Sequence, residues 1–180
     1  IIATSNQSTD IPLVEYCKKK KLNYYAGSLE NVALRFFKII KSKKISYFVR
    51  INGDSPFIDP IIINRILIFA KKKKFDICTN VFPRSYPKGQ SVEIIKKTTF
   101  LKYFHEIKKK SHKEHLTSFF YANSNLFKIK NLRYKKNFSK KNMSIDTQKD
   151  FLKAQKVFNR FSVENLAKMS WTKILKIIYE

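Results

Sequence analysis

Short apolar runs alternate with segments of helical periodicity along nearly the whole chain, and that alternation limits the fold more than any other feature. Ile1–Thr4, Leu22–Tyr25, Ile45–Ile51, Phe75–Val81, Ser91–Ile95, Leu126–Leu132 and Met143–Thr147 read as strands. Helices are expected over Leu13–Lys20 after Asp10 and Pro12, over Leu29–Ser42 with Ser28 as N-cap, and from Asp59-Pro60 to about Lys73. Others are expected over Thr98–Lys110, over Glu114–Ala122, and from Thr147 to about Phe158, with Ser162 and Ser170 opening two last pieces. The class is therefore α/β, with a largely parallel sheet between helices. Residues 1–180 read as one domain. Within it, 83–123, which opens on the breakers Pro83, Pro87 and Gly89, forms a candidate subregion or lid, and 162–180 supplies C-terminal helices.

The chain has 180 residues, of which 43% are hydrophobic, enough for a real core and too many for a disordered chain. No apolar run nears the roughly 20 residues of a membrane span. Ile1–Asp10 lacks the charged start of a secretory signal, and Cys17 and Cys78 stand apart without metal-like spacing. Both features lead us to expect a cytoplasmic protein with reduced thiols. The chain opens at once on an apolar strand, so further sequence is expected upstream. The net charge of +25 invites a nucleic-acid reading, but only six of the 38 basic residues are Arg, the residue suited to bidentate base and phosphate contacts. The lysine runs follow apolar stretches and suit solvated C-terminal helix turns. Nucleic acid is therefore the weaker choice of partner.

Four groups of residues carry candidate chemistry. Asp54 follows Ile45–Ile51, Asp146 follows Met143–Ile145, and each precedes a helix start. On one sheet edge their two carboxylates would suit Mg2+, which takes hard oxygen ligands and leaves positions for water and phosphate. By spacing alone, turn or helix capping is the better account of both, since Asp is common at caps. Glu114 and His115 could meet substrate hydroxyl or carboxylate groups, or simply open a polar helix. Arg84, Tyr86 and Lys88 occupy a Pro- and Gly-bearing loop, with Glu93 on the strand beyond; they could hold an anionic sugar or form a plain turn. Ser28, Asn31 and Arg35 follow Gly27 at the start of a helix and could reach a nucleotide or merely cap and decorate it.

The order of these pieces matters more than any one of them. IIATSNQSTDIPLVEYC, GSLENVALRF, VRINGDSPFIDP, YPKGQSVEI, KEHLTSFFYAN and MSIDTQKDF succeed one another from Ile1 to about Phe158. That succession resembles the cytidylyltransferases of bacterial surface-sugar synthesis, the spore-coat polysaccharide type related to CMP-Kdo synthetase. The resemblance implies a three-layer, glycosyltransferase-A-like nucleotidyltransferase fold with a mostly parallel mixed sheet. It implies a reaction of CTP with an acidic or modified sugar that gives a CMP-sugar and pyrophosphate, and it implies dimers, which are common among such enzymes. Carried over, Asp54 and Asp146 are the Mg2+ ligands, and Gly53 lets the chain turn close to phosphate. Ser28, Asn31 and Arg35 lie near the nucleotide. Arg84, Tyr86, Lys88, Glu93, Glu114 and His115 line the sugar side. The basic, glycine-bearing loop and first strand with which the family begins have no match here. The chain therefore reads as N-terminally truncated by about 50 residues, judged from domain size. Ser55 after the key aspartate and Lys113 before Glu-His depart from the common pattern and leave the sugar open.

Overall fold

The computed structural model describes residues 1–71 and 74–180. In chain order its elements are β1 (Ile2–Ser5), α1 (Ile11–Lys19), β2 (Tyr24–Gly27), α2 (Val32–Lys41), β3 (Tyr47–Arg50), α3 (Pro60–Lys71) and β4 (Ile77–Thr79). There follow β5 (Glu93–Lys96), α4 (Lys97–Tyr103), α5 (Lys110–Glu114), α6 (Leu116–Ala122), β6 (Ile129–Asn131), α7 (Gln148–Arg160), α8 (Val163–Lys168) and α9 (Trp171–Tyr179). The chain divides into two compact units, Ile1–Phe48 with Lys96–Phe127, and Val49–Ile95 with Lys128–Glu180. The region 83–123 is shared between them. The expected end of the third helix, Lys72 and Lys73, lies outside the described residues. No helix among the described residues is long and apolar enough to cross a membrane.

In the first unit β1 and β2 pair in parallel, Ile2 opposite Tyr24 and Ser5 opposite Gly27, with α1 as the crossover. Apolar side chains from its helices fill the core: Cys17, Ala33, Ile40, Phe100, Leu116 and Phe120 are all buried. Phe48 packs between the rings of Phe36 and Phe100, with centroids 5.9 and 5.3 Å away. Asp10 marks the start of α1 as expected, standing at its N-cap position, but its carboxylate serves β1 and not the helix, accepting from the Thr4 hydroxyl at 2.7 Å and the Ser5 N–H at 2.8 Å. Those two donors hold its pKa below the usual aspartate range.

In the second unit the sheet runs β3–β5–β4–β6, with β5 antiparallel and β6 parallel to β4. The sheet is thus mixed, as the family resemblance implied. A core of Phe57, Ile62, Ile66, Phe75, Val92, Ile94, Met143, Ala154, Val157, Trp171 and Leu175 lies against it. Trp171 meets the rings of Tyr134, Phe138 and Tyr86 at 5.0, 5.2 and 5.7 Å. Burial of one such aromatic side chain is worth about 2–3 kcal/mol. Both cysteines are free and buried, and burial pushes the Cys78 thiol up to about 11, far from thiolate chemistry.

Three expected elements are corrected. Ser28 does not cap a helix from Leu29. Its hydroxyl oxygen accepts from the Asn31 N–H at 3.1 Å, and Asn31 then caps α2 by accepting from the Leu34 N–H. The helix expected over Thr98–Lys110 ends at Tyr103 and passes into a 3-10 turn, Phe104–Glu106. Met143–Thr147 is not a strand. Its amides go to separate partners, Met143 N–H to the Lys88 carbonyl and Ile145 N–H to the Asp54 carbonyl, while Asn142 Oδ1 takes the Ser144 N–H. The caps read at Thr147, Ser162 and Ser170 are all made, Thr147 in a capping box with Asp150.

Candidate active site

In the second unit the chain leaves β3 at Arg50 and reaches Asp54 through Ile51-Asn52-Gly53. The Asp54 carbonyl accepts from the Ile145 N–H at 2.9 Å, so the segments bearing Asp54 and Asp146 are hydrogen-bonded neighbours, although 92 positions separate the two aspartates. Each carboxylate is tethered at one oxygen by a serine hydroxyl. Ser55 Oγ donates to Asp54 Oδ1 at 2.7 Å, and Ser144 Oγ lies 2.9 Å from Asp146 Oδ2. Asn142 Nδ2 also reaches Asp146 Oδ2, at 3.4 Å. The second oxygen of each carboxylate carries no hydrogen bond among the described residues, and both aspartates are exposed. The single Ser144 proton is shared, because Asn142 Oδ1 lies 2.6 Å from the same hydroxyl.

The Tyr86–Gln90 loop is sewn to the same place. Lys88 N–H donates to the Lys141 carbonyl at 3.0 Å, and the Lys88 carbonyl accepts from Met143 N–H at 2.9 Å, leaving the Lys88 ammonium in solvent. Gly89 adopts φ +85°, and a Cβ there would sit 2.7 Å from the Met143 and Ser144 backbone. Gln90, fully buried, joins the loop to the Asp54 segment: its Oε1 accepts from Asp59 N–H at 3.0 Å and its Nε2 donates to the Phe57 carbonyl at 2.6 Å.

Several assigned residues occupy positions other than those expected. Tyr86 is 1% exposed, packed in the core against Tyr134 and Trp171, so its ring supports the loop and does not face a sugar. Glu93 is 3% exposed and bound by Arg50 at 2.5 Å, so it is a strand-to-strand ion pair and not an open sugar-facing carboxylate. Arg84 braces its own loop through Ser91 Oγ and the Pro87 carbonyl. Gly53 is required by no contact among the described residues, since a Cβ there would meet none of their atoms within 4 Å.

The other assigned residues lie in the first unit. Ser28, Asn31 and Arg35 gather at the start of α2, where Arg35 Nη1 donates to the Ala3 carbonyl at 3.2 Å and its buried Nε has no partner among the described residues. Burial lowers the Arg35 pKa, opposed by the Asp10 charge. Glu114 and His115, both exposed, close α5. Sequence reasoning missed Arg50, Gln90, Ser55 and Ser144. The signal for the serines was present, since a serine lies within two positions of each key aspartate.

The donors at Asp54 and Asp146 fit a hard divalent cation, because they are oxygens, charged and half free. Among the described residues no group of three or more His, Cys, Asp or Glu side chains gathers to hold a metal.

A family model described as cytidylyltransferase matches residues 1–179. The chain belongs to the cytidylyltransferase family. Its cytidylyltransferase fold is that of a nucleotidyltransferase: a cytidylyltransferase structure from Leptospira borgpetersenii superposes with a TM-score of 0.87 at 22% identity, covering 98% of this chain and 74% of that one. An uncharacterized protein of Methanocaldococcus jannaschii is 31% identical over 169 residues, 91% of this chain and 68% of its own length. The spore coat polysaccharide biosynthesis protein SpsF of Bacillus subtilis is 27% identical over 154 residues, 84% of this chain and 63% of its own length. This cytidylyltransferase chain thus spans about two thirds of the curated relatives it matches.

Proposed function

We propose that the protein joins CTP to an acidic or otherwise modified sugar, releasing pyrophosphate and forming a CMP-sugar for surface polysaccharide or glycan synthesis. The observation that supports this reading is the hydrogen bond from Ile145 N–H to the Asp54 carbonyl, which makes backbone neighbours of the segments that carry Asp54 and Asp146. In the reaction the sugar hydroxyl attacks the α-phosphorus, an O–P bond forms, and the bond to the β-phosphate oxygen breaks with its electron pair leaving on pyrophosphate. The hydroxyl proton passes to solvent. Asp54 and Asp146 would hold Mg2+, which when bound offsets the charge of the triphosphate and the leaving group.

The remaining work is positioning. Arg35, with an unmet buried donor, and Ser28 and Asn31 beside it supply cationic and polar contacts for the nucleotide. Lys88, whose ammonium stands in solvent, supplies a cationic contact for an anionic sugar. Tyr86, packed against Tyr134 and Trp171, stiffens the loop that carries Lys88. Open space at Gly53 suits a phosphate that approaches the backbone.

The test is pyrophosphate release from CTP and Mg2+ by the full-length protein, across a panel of keto-acid and nonulosonic sugars. Asp54→Asn and Asp146→Asn are each expected to lower turnover by on the order of 100-fold or more. Turnover that survives both substitutions ends this reading. Gly53→Ala is expected to leave the urea midpoint unchanged, since the methyl group meets no protein atom, while KM for CTP rises severalfold. An unaltered KM would remove Gly53 from the site.

A further inference from the structure

We infer that Tyr179, at the end of α9, is a positioning residue for Asp146, acting through Asn142 to keep the free carboxylate oxygen set for a divalent cation. The inference rests on the reading of Asp54 and Asp146 as the cation ligands. Tyr179 lies 37 residues from Asn142 in sequence, yet its phenol oxygen accepts from the Asn142 N–H at 2.9 Å and lies 3.4 Å from the Asn142 carbonyl, to which it can donate. A phenol can do both at once. Asn142 is the hub of the Asp146 tether. Its Oδ1 takes the Ser144 N–H at 2.9 Å and stands 2.6 Å from the Ser144 hydroxyl, while its Nδ2 reaches Asp146 Oδ2. Fixing the Asn142 backbone therefore fixes the frame in which Asp146 is oriented.

The tyrosine is itself held. Lys141 Nζ and Lys153 Nζ lie 4.3 and 5.1 Å from its ring centroid, within cation–π range. The start of α9 is fixed as well. Trp171 N–H donates to Asp59 Oδ2 at 2.9 Å, Ser170 caps the helix, and Ile174 and Leu175 are buried in the core. Asp59 stands five positions beyond Asp54. So α9 is tied at one end to the Asp54 segment and at the other to the Asp146 segment, a strut about 13 Å long by helical rise. Outer partners of this kind orient a metal's ligands and influence affinity without touching the metal.

The experiment follows the paramagnetic broadening of the Asp54 and Asp146 amide signals as Mn2+ is added to the protein. Tyr179→Phe deletes one oxygen. Tyr179 is 46% exposed, so water can satisfy the Asn142 N–H that is released. The expected result is a roughly three- to tenfold rise in the Mn2+ needed for half-broadening, with a melting temperature within about 2 °C of the parent. Asn142→Ala should weaken binding similarly, and Tyr179→Phe should add little in that background, because the two act in series. An unchanged Mn2+ titration in Tyr179→Phe overturns the inference, as does a loss of affinity matched by a large fall in melting temperature. Asp146→Asn separates the two readings. If it abolishes the broadening while Tyr179→Phe does nothing, the positioning role alone fails. If the parent shows no local broadening, or Asp146→Asn matches it, the cation site fails and takes the positioning role with it.

Discussion

Gly89→Ala is expected to lower the free energy of unfolding by about 3 kcal/mol, from two independent sources. At φ +85° an L side chain is strained, which costs about 1–2 kcal/mol. The added methyl would also stand 2.7 Å from the Met143 carbonyl carbon and the Ser144 nitrogen. Both are backbone atoms and cannot rotate aside, so the loop must lift, with overpacking adding about 1–3 kcal/mol. Lifting it stretches the bonds of Lys88 to Lys141 and Met143, just ahead of Asp146. Urea unfolding read by tryptophan fluorescence should show a lower midpoint at unchanged slope, and Mn2+ affinity should fall in parallel. A loss below about 1 kcal/mol would mean that the loop and the Met143–Ser144 backbone are not in contact.

Gln90→Leu is expected to cost a similar amount, about 3 kcal/mol, by a different route. Leucine keeps the volume and removes both polar ends. The Asp59 N–H and the Phe57 carbonyl then lose a partner that is itself fully buried. Each such loss costs about 1–3 kcal/mol. The effect should be local in hydrogen exchange: the Asp59 amide speeds up, whereas the Val92 amide, which donates to Asn80 Oδ1 at 2.9 Å, stays protected. Equal acceleration of both would point to general loosening and not to a severed joint.

What could be read from the sequence was what is local. Thr147, Ser162 and Ser170 cap helices because a cap is decided within three or four residues. The strand–helix alternation follows from periodicity, which also operates over short windows. Ser28 misled because a second residue of the same chemistry, Asn31, stood three positions on, and the helix begins at the later one. Met143–Thr147 misled because apolar residues in an extended segment do not reveal which backbone they will pair with. Tyr86 and Glu93 carry polar atoms, which favoured an open reading, and only tertiary packing put one under Trp171 and the other on Arg50. Gln90 and Tyr179 left no local trace, since their partners lie 31 to 53 and 37 positions away.

The Ser144 hydroxyl has one hydrogen and two oxygens within reach. It can point at Asp146 Oδ2 or at Asn142 Oδ1, and it serves the second only by abandoning the first. An anionic carboxylate competes strongly for that hydrogen, and a carboxylate whose charge is already offset competes weakly. The hydroxyl rotor is therefore a needle whose heading depends on how much negative charge Asp146 still presents, and it turns without any heavy atom having to move.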